Sequence, residues 1–237
     1  MKPNRLNRLN RLILATQNRG KARELTALLP GIQVETLADH PELEMPEETG
    51  ETFEENARQK AEHVAGVLAA RAAQAASTGL PTPIVLADDS GLVVDALPGL
   101  LGVRSRRYGP GTDLDRCHKL LAALSDHPAA ERRSARFVCA AALVVAGAPT
   151  IVVRGEVEGR IAEKPSGENG FGYDPIFMPI GFDSTMACLS LEEKQAISHR
   201  GRALAQLLPH IQRHFSLEPG RELSATSASS SRDGHGA

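Results

Sequence analysis

The sequence lacks the features that would direct a chain to a membrane, a disulfide framework or nucleic acid. No apolar run approaches the ~20 residues that a helix needs to cross a bilayer, and the N-terminus has no apolar segment of the secretory kind. The net charge is -2, whereas a general nucleic-acid binder needs a basic surface. The three cysteines, Cys117, Cys139 and Cys188, are far apart among apolar neighbours, which favours neither disulfides nor a metal cluster. We therefore expect a cytoplasmic protein with small-molecule partners, not nucleic acid or a membrane.

Aromatic residues make up only 3% of the chain, yet Phe171, Tyr173 and Phe177 fall in one glycine-rich stretch. Glycines on both sides of Phe171 leave its ring uncrowded and let a flat ligand approach the backbone. Aromatic faces stack well on nucleobases. We interpret this stretch as a base-binding loop, with packing beneath a surface loop as the alternative.

Length and composition predict one domain. A chain of 237 residues with 41% hydrophobic and 24% charged residues easily sustains a single core. We expect that domain over residues 12–215. Residues 1–11, which contain a short Asn-Arg-Leu repeat, form a predicted disordered extension without assigned function, and the serine-rich residues 216–237 form a predicted disordered tail.

Residues 84–92 carry the strongest chemical signal. Their apolar start, rich in β-branched residues, predicts a buried strand, and we expect it to end abruptly at Asp88 and Asp89. Adjacent carboxylates at a strand end suit Mg²⁺ or the deprotonation of a water. The alternative is an ordinary Asp-Ser-Gly turn.

Two segments are candidate phosphate sites. A polar loop joins a strand at Leu12 to a helix, and helix N-termini attract anions; the loop is not of the GxxxxGK[ST] type, and a capped helix start with a surface lysine is the alternative. Its residues are Thr16, Gln17, Asn18, Arg19, Gly20 and Lys21. Further on, Thr52 and Glu55 predict a capping box that places Asn56 and Lys60 on one helix face.

Two glutamates precede that helix. Glu47 and Glu48 are close enough to its start to share a metal with the strand carboxylates, although a solvated helix surface explains the same pattern. Residues 98–111 form a basic loop that reads as a lid or a solvated turn. After it, Thr112 caps a helix with the predicted apolar stripe Leu114, Cys117, Leu121 and Leu124, and residues 136–153 predict a hairpin of buried strands that includes Cys139.

The last motif is a group of donors. Ser190 and Glu193 predict another capping box, and a second helical segment begins near residue 198. Lys194, His199 and Arg200 form a cationic trio that could read an oxygen-bearing ring. Carboxylates for Mg²⁺, lysines for phosphates, an aromatic plate and cationic donors together describe a nucleotide site.

Five sequence blocks, in order along the chain, resemble the inosine triphosphate pyrophosphatase family. They are residues 16–21, 47–57, 87–92, 171–177 and 198–201, and the likeness extends from about residue 12 to residue 208. Members are house-cleaning pyrophosphohydrolases of dITP, ITP and XTP. The resemblance implies an α/β fold with an elongated mixed β-sheet flanked by helices, two lobes with the active cleft between them, a homodimer, Mg²⁺ dependence, and a nucleoside monophosphate and pyrophosphate as products.

The resemblance also implies roles for single residues. Asp89 would be the proton acceptor or a Mg²⁺ ligand, with Asp88 beside it and Glu47 or Glu48 completing the metal site. Residues 16–21 with Asn56 and Lys60 would grip the triphosphate, and Ser90 would touch the substrate. The base would stack on Phe171 in a pocket lined by Phe171, Gly172, Tyr173 and Asp174, and Lys194, His199 and Arg200 would address its polar edge. Gln17, Leu101, Arg106 and Cys188 depart from the family pattern without removing a catalytic group.

Two alternatives remain at this point. A Maf-type pyrophosphatase acting on dTTP or modified pyrimidine triphosphates would share the chemistry without the purine pocket. A non-catalytic nucleotide sensor would bind without releasing pyrophosphate, although Asp89, Lys21 and Lys60 argue against it.

Overall fold

A six-stranded mixed sheet organises the molecule. The computed structural model describes residues 11–74, 83–126 and 133–216; the rest of the predicted N-terminal extension and of the C-terminal tail lies outside these ranges. Arg11 and Ser216, predicted to lie outside the domain, belong to its first strand and last helix. The strands are β1 (Arg11–Leu14), β2 (Gln33–Thr36), β3 (Ile84–Val94), β4 (Ser134–Val144), β5 (Ile151–Ile161) and β6 (Phe177–Pro179). The helices are α1 (Arg19–Ala27), α2 (Phe53–Gln74), α3 (Asp113–Ala123), α4 (Leu191–Ile197) and α5 (His199–Ser216).

The strand order is β2-β1-β3-β4-β5-β6. Strands β2, β1 and β3 run parallel, whereas β3, β4, β5 and β6 pair antiparallel with one another. The eleven-residue β3 therefore joins a parallel half of the sheet to an antiparallel half. This confirms the predicted mixed sheet.

One prediction about β3 is wrong: the strand does not end at the acidic pair, and the Asp-Ser-Gly turn does not form. Asp88 and Asp89 lie mid-strand, paired with Ala141 and Ala140 of β4, and this pairing continues to Val94. The parallel partner β1 stops at its pairing with Leu86. At the acids, β3 is thus paired with β4, whereas its pairing with β1 has already ended.

Helices cover the two sheet faces according to the alternation of side chains. Leu12, Ile84, Leu86 and Cys139 pack in a cluster that includes residues of α1 and α5. Their chain neighbours Ile13, Val85 and Ala87 pack against α2 on the opposite face. A third cluster lies farther along the long strands, where α3, the C-terminal part of β3 and Phe177 meet. We call the part of the fold around this cluster the second lobe, and the part around the other two clusters the first lobe.

Local signals in the sequence match the helix ends. Capping boxes form at Thr112 and Ser190, and Thr52 and Glu55 exchange the predicted hydrogen bonds at 3.1 Å. The predicted apolar stripe on α3 is partly wrong. Leu114, in the first turn of the helix, is 48% exposed, whereas Leu120, which was not part of the prediction, is buried.

Two of the three cysteines were predicted to be core residues, and both take that place, whereas Cys188 is exposed. Cys117 and Cys139 are buried, and burial raises the pKa of each thiol to about 12. Neither thiol is therefore activated for nucleophilic attack. Across the described ranges, no helix is both long and apolar enough to span a bilayer.

Candidate active site

A cleft of about 720 Å³ opens between the two lobes. Segments that are distant in the sequence line it together, and this convergence is what the nucleotide-site hypothesis requires. Of the predicted site residues, the lining includes Thr16, Gln17, Asn18, Arg19, Gly20, Lys21, Glu47, Glu48, Lys60, Asp88, Asp89, Ser90, Phe171, Gly172, Tyr173, Asp174, His199 and Arg200. Asn56 and Lys194, which are also predicted site residues, are buried and are not among the residues that line the cleft.

The loop before α1 is a helix cap with a charged flank. The Asn18 side chain accepts hydrogen bonds from the N–H groups of Gly20 at 2.9 Å and Lys21 at 3.2 Å. Those two N–H groups are therefore already paired, as in the capped helix start that was the alternative. Attraction for an anion here comes from the helix dipole, the Lys21 ammonium and the exposed Arg19 side chain.

Asp88 and Asp89 point to opposite faces of β3, which gives them different partners. Asp88 faces α1 and α5: its Oδ2 lies 2.9 Å from Lys21 Nζ and 3.4 Å from Arg200 Nε. Burial alone would raise the pKa of Asp88, but the positive charges of Lys21, Arg200 and Lys60 outweigh burial and hold it well below the usual range. Asp88 is therefore ionised at neutral pH.

Asp89 faces α2 and titrates differently. It accepts hydrogen bonds from Lys60 Nζ at 3.0 Å and Asn56 Nδ2 at 3.1 Å. Burial raises the pKa of Asp89 above its ordinary value despite the opposing charges of Lys60 and Lys21. A carboxylate with a raised pKa is a better proton acceptor than an ordinary aspartate.

Lys60 links Asp89 to Glu48, whose Oε1 lies 3.0 Å from the same ammonium. Burial would raise the pKa of Glu48, but the charge of Lys60 outweighs it and the pKa is lowered. Glu47 lines the cleft beside it. Carboxylates and ammonium groups thus alternate in space along the charged side of the cleft.

The four carboxylates predicted to bind metal do not converge on one point. No group of three or more His, Cys, Asp or Glu side chains arranged for a metal occurs in the part of the chain that the structure describes, since Lys60 stands between Glu48 and Asp89 and Lys21 against Asp88. Mg²⁺, however, usually takes one or two carboxylates and completes its shell with water and phosphate oxygens. Asp88 Oδ1 is buried without a hydrogen-bond partner, and an ionised oxygen of this kind fits a hard cation.

The predicted base-binding loop, residues 171–177, is called the base loop. It places the Phe171 ring beside the cations Lys194 and Arg200. The ring centroid lies 5.1 Å from Lys194 Nζ and 5.0 Å from Arg200 Cζ. Gly20 makes this possible, because a Cβ at that position would lie 2.6 Å from the ring. Asp174 holds this loop in place. Its carboxylate accepts one hydrogen bond from the backbone N–H of Phe171 at 2.8 Å and another from the Lys194 ammonium at 2.5 Å.

His199 differs from the prediction. It is buried, and burial, with Arg200 and Lys194 nearby, lowers the pKa of its imidazole well below the ordinary 6.5. Its ring stacks on Phe137 with centroids 4.8 Å apart. The predicted cationic trio is therefore a pair of cations, Lys194 and Arg200, beside a neutral imidazole.

Glu24 belongs to the site, although the sequence did not indicate it. This carboxylate of α1 is 3% exposed and lies 2.6 Å from Lys194 Nζ and 2.7 Å from Arg200 Nη1. It therefore holds both cations that were assigned to the base edge. The one available signal was its position three residues after Lys21, on the same helix face. Asp113, Arg116, Arg106 and Arg107 also line the cleft without having been assigned to it.

The chain is similar to known proteins over most of its length. The sequence model of the Ham1 family matches residues 12–210. The chain belongs to the Ham1 family. Among curated relatives, the dITP/XTP pyrophosphatase of Symbiobacterium thermophilum is 49% identical over 201 residues, which cover 85% of this chain and 94% of that protein. The dITP/XTP pyrophosphatase of Geobacter sulfurreducens is 45% identical over 207 residues, covering 86% and 97%.

Solved structures of Ham1 proteins share the fold. The Ham1 protein of Staphylococcus aureus matches with a TM-score of 0.70 at 38% identity, covering 86% of this chain and 98% of that one. A nucleoside-triphosphatase/dITP/XTP pyrophosphatase from Mycobacterium abscessus matches with a TM-score of 0.60 at 46% identity, covering 84% and 99%. The fold and family expected from the five sequence blocks are thereby confirmed.

Proposed function

We propose that the protein is a Mg²⁺-dependent pyrophosphohydrolase that converts dITP, ITP and XTP to the nucleoside monophosphate and pyrophosphate. The observation that carries this proposal is the single cleft in which Asp88 and Asp89 meet Lys21, Lys60 and the Phe171 ring. The names of relatives that are 45–49% identical support the same activity. The homodimer and the cytoplasmic location are proposals from the family resemblance.

In the proposed reaction, different side chains bind the phosphates, accept the proton of the attacking water and hold the proton acceptor in place. Lys21 and Lys60 face the triphosphate and offset the negative charge that develops on the leaving pyrophosphate. Asp89, whose pKa is raised by burial, accepts the proton of the water that attacks the α-phosphorus. Asn56 and Lys60 hold the Asp89 carboxylate in place. Mg²⁺ would be held by one or two of the candidate carboxylates Asp88, Asp89, Glu47 and Glu48, with water and phosphate oxygens completing its shell, and would neutralise charge on the phosphate oxygens.

Discrimination between bases follows from the remaining N–H groups of Lys194 and Arg200. The ammonium of Lys194 uses two of its three donors on Glu24 and Asp174, and the guanidinium of Arg200 uses three of its five on Glu24, Asp88 and Ser90. The free donors would pair with the oxygen at C6 of hypoxanthine or xanthine and stay unpaired against the amino group of adenine. Such unpaired buried donors discriminate by roughly 10⁴. Guanine shares the oxygen, so its rejection depends on the 2-position.

The Phe171 ring lies over these cations in the present structure. A base that reaches the free donors therefore requires the ring to turn aside and stack on the base instead. The backbone N–H of Phe171 is held by Asp174, so the turn is a rotation of the side chain.

The test is pyrophosphate release from dITP, XTP, dGTP, dATP and dTTP, with and without Mg²⁺, by the wild type, Asp89→Asn and the control Asp183→Asn. Asp183 is an exposed aspartate that does not line the cleft. We expect dITP and XTP to lead, Mg²⁺ to be required, and Asp89→Asn to lower kcat by about 10²- to 10⁴-fold while Asp183→Asn keeps wild-type rates. Binding without pyrophosphate release would indicate a sensor, a preference for dTTP would indicate the Maf-type activity, and an unimpaired Asp89→Asn would remove the role given to Asp89.

A further inference from the structure

The base loop is attached to the second lobe through three consecutive hydrogen bonds. Asp113 Oδ2, at the start of α3, accepts the N–H of Gly172 at 2.7 Å. The Cys117 thiol donates to the Gly172 carbonyl at 3.4 Å, and the Tyr173 hydroxyl donates to the Ser105 carbonyl at 2.8 Å. Both backbone groups of Gly172 are therefore bound by α3.

Packing does not hold Gly172 in place. Its φ is +66°, and a Cβ built on it would have nothing within 4 Å. A residue in the left-handed region with open space around it keeps its conformation through its hydrogen bonds. The Asp113 bond is the charge-assisted one, and such bonds are roughly twice as strong as neutral ones.

The orientation of the Asp113 carboxylate is set by Arg116. Arg116 pairs with Asp113 Oδ1 and donates to the Gly111 carbonyl at 2.9 Å, which leaves Oδ2 for Gly172. Asp113 and Arg116 both line the cleft beside the base loop. One carboxylate, Asp174, thus holds the N–H of Phe171 and another, Asp113, holds the next N–H.

We propose that Asp113 is a positioning residue for base recognition: it fixes Gly172, and so sets the orientation from which the Phe171 ring meets the base. This inference rests on the proposed nucleotide pyrophosphohydrolase function. It predicts that loss of Asp113 weakens contacts to the base and leaves contacts to the phosphates unchanged.

The experiment compares Asp113→Ala, Asp113→Asn and the control Asp115→Ala with the wild type in steady-state hydrolysis of dITP. Asp115 is also a first-turn carboxylate of α3, but among the residues that the structure describes its carboxylate hydrogen-bonds to the capping residue Thr112 and not to the base loop. We expect Asp113→Ala to raise KM for dITP and the inhibition constant of IMP by about tenfold. Its kcat and its inhibition constant for pyrophosphate should stay within about twofold of wild type. Asp113→Asn, which keeps an acceptor oxygen, should restore most of the affinity.

A spectroscopic reporter keeps the test independent of turnover. The chain contains no tryptophan, so Phe171→Trp gives a single indole in the base loop. Adding Asp113→Ala should increase quenching of this indole by acrylamide, and adding Asp115→Ala should not.

The inference is refuted if Asp115→Ala reproduces the kinetic defect, if pyrophosphate and IMP inhibition weaken equally, or if indole quenching is the same in all three backgrounds. Failure of the proposed function has a different signature, namely a wild type that releases no pyrophosphate from dITP. The indole measurement then still decides whether Asp113 orders the loop.

Discussion

Replacing Glu24 by glutamine removes the charge that holds two buried cations. Glu24 is 3% exposed, and its carboxylate oxygens lie 2.6 Å from Lys194 Nζ and 2.7 Å from Arg200 Nη1. The amide keeps one acceptor oxygen, but its NH₂ group faces the other cation. The variant therefore loses one charge-assisted hydrogen bond and gains an unfavourable donor-to-donor contact.

The size of the effect follows from burial. Removing one partner of a buried ion pair costs about 3–5 kcal/mol, and retention of one acceptor places Glu24→Gln near the lower end, at about 3 kcal/mol. The matched control is Glu35→Gln, because Glu35 also forms an ion pair, in which its carboxylate lies 2.6 Å from the Arg11 guanidinium. This pair is less buried: the Arg11 side chain is 30% exposed and the Glu35 side chain 16%. Partly exposed pairs contribute about 1 kcal/mol or less. The expected difference between the two variants is therefore about 2 kcal/mol.

The assay is urea unfolding of both variants and the wild type, at neutral pH and at a series of lower pH values. Burial alone would raise the pKa of Glu24, but Arg200 and Lys194 lower it below the ordinary 4.5. A carboxylate with a lowered pKa stabilises the fold above that ordinary value, and the stabilisation is lost as the pH falls through the folded-state pKa. Glutamine does not titrate, so the gap between wild type and Glu24→Gln should narrow below about pH 4.5.

Two results would refute this reasoning. One is a loss of stability in Glu24→Gln no larger than that in Glu35→Gln at neutral pH. The other is a gap that stays constant on acidification, since the stability difference would then owe nothing to the ionised carboxylate.

Three further predictions concern neighbouring groups. Gly20→Ala should lower KM for dITP by up to about tenfold with kcat nearly unchanged, because its Cβ would meet the Phe171 ring at 2.6 Å and displace the ring from the position that it must leave when a base binds; steady-state kinetics measures this. Ser105→Ala should lower the free energy of unfolding by about 1–3 kcal/mol in urea, because the buried hydroxyl accepts the Leu92 N–H at 2.9 Å. His199→Phe should flatten the fall in stability on acidification below about pH 6.5, since the native imidazole has a lowered pKa and the unfolded one takes up a proton.

Each of these has a contrary outcome. An unchanged or raised KM in Gly20→Ala would mean that the ring does not have to leave this position when a base binds. A loss below about 0.5 kcal/mol in Ser105→Ala is the size of an ordinary surface substitution and would deny the hydroxyl its structural role. A His199→Phe stability curve parallel to that of the wild type would mean that the imidazole is charged in the fold.

The sequence alone indicated the local structure and the family. Helix caps at Thr52, Thr112 and Ser190 depend on side chains three residues apart, and the strand pattern depends on alternation over a few residues. Such short-range interactions are legible without the fold. Five ordered blocks then named the family, which the match over residues 12–210 confirms.

The continuation of β3 through Asp88 and Asp89 could not be predicted from local sequence patterns in the same way. Asp88, Asp89, Ser90 and Gly91 are turn-forming residues by composition, but their pairing with β4 continues through them. Ladder hydrogen bonds from a strand some fifty positions later in the chain outweigh the local preference. Both acids are largely buried but line the cleft, because β1 ends beside them. Where β1 ends is a property of the sheet.

What only the tertiary structure decided is which charges meet and which stay ionised. Glu24 joins cations 170 and 176 positions away, Asp113 reaches Gly172 across 59 positions, and burial leaves His199 neutral although its sequence neighbours suggested a cation. Sequence spacing sets the order of residues along one helix or strand. Contacts across the fold and the exclusion of water set pKa values and ion pairs, and both arise only when distant segments pack together.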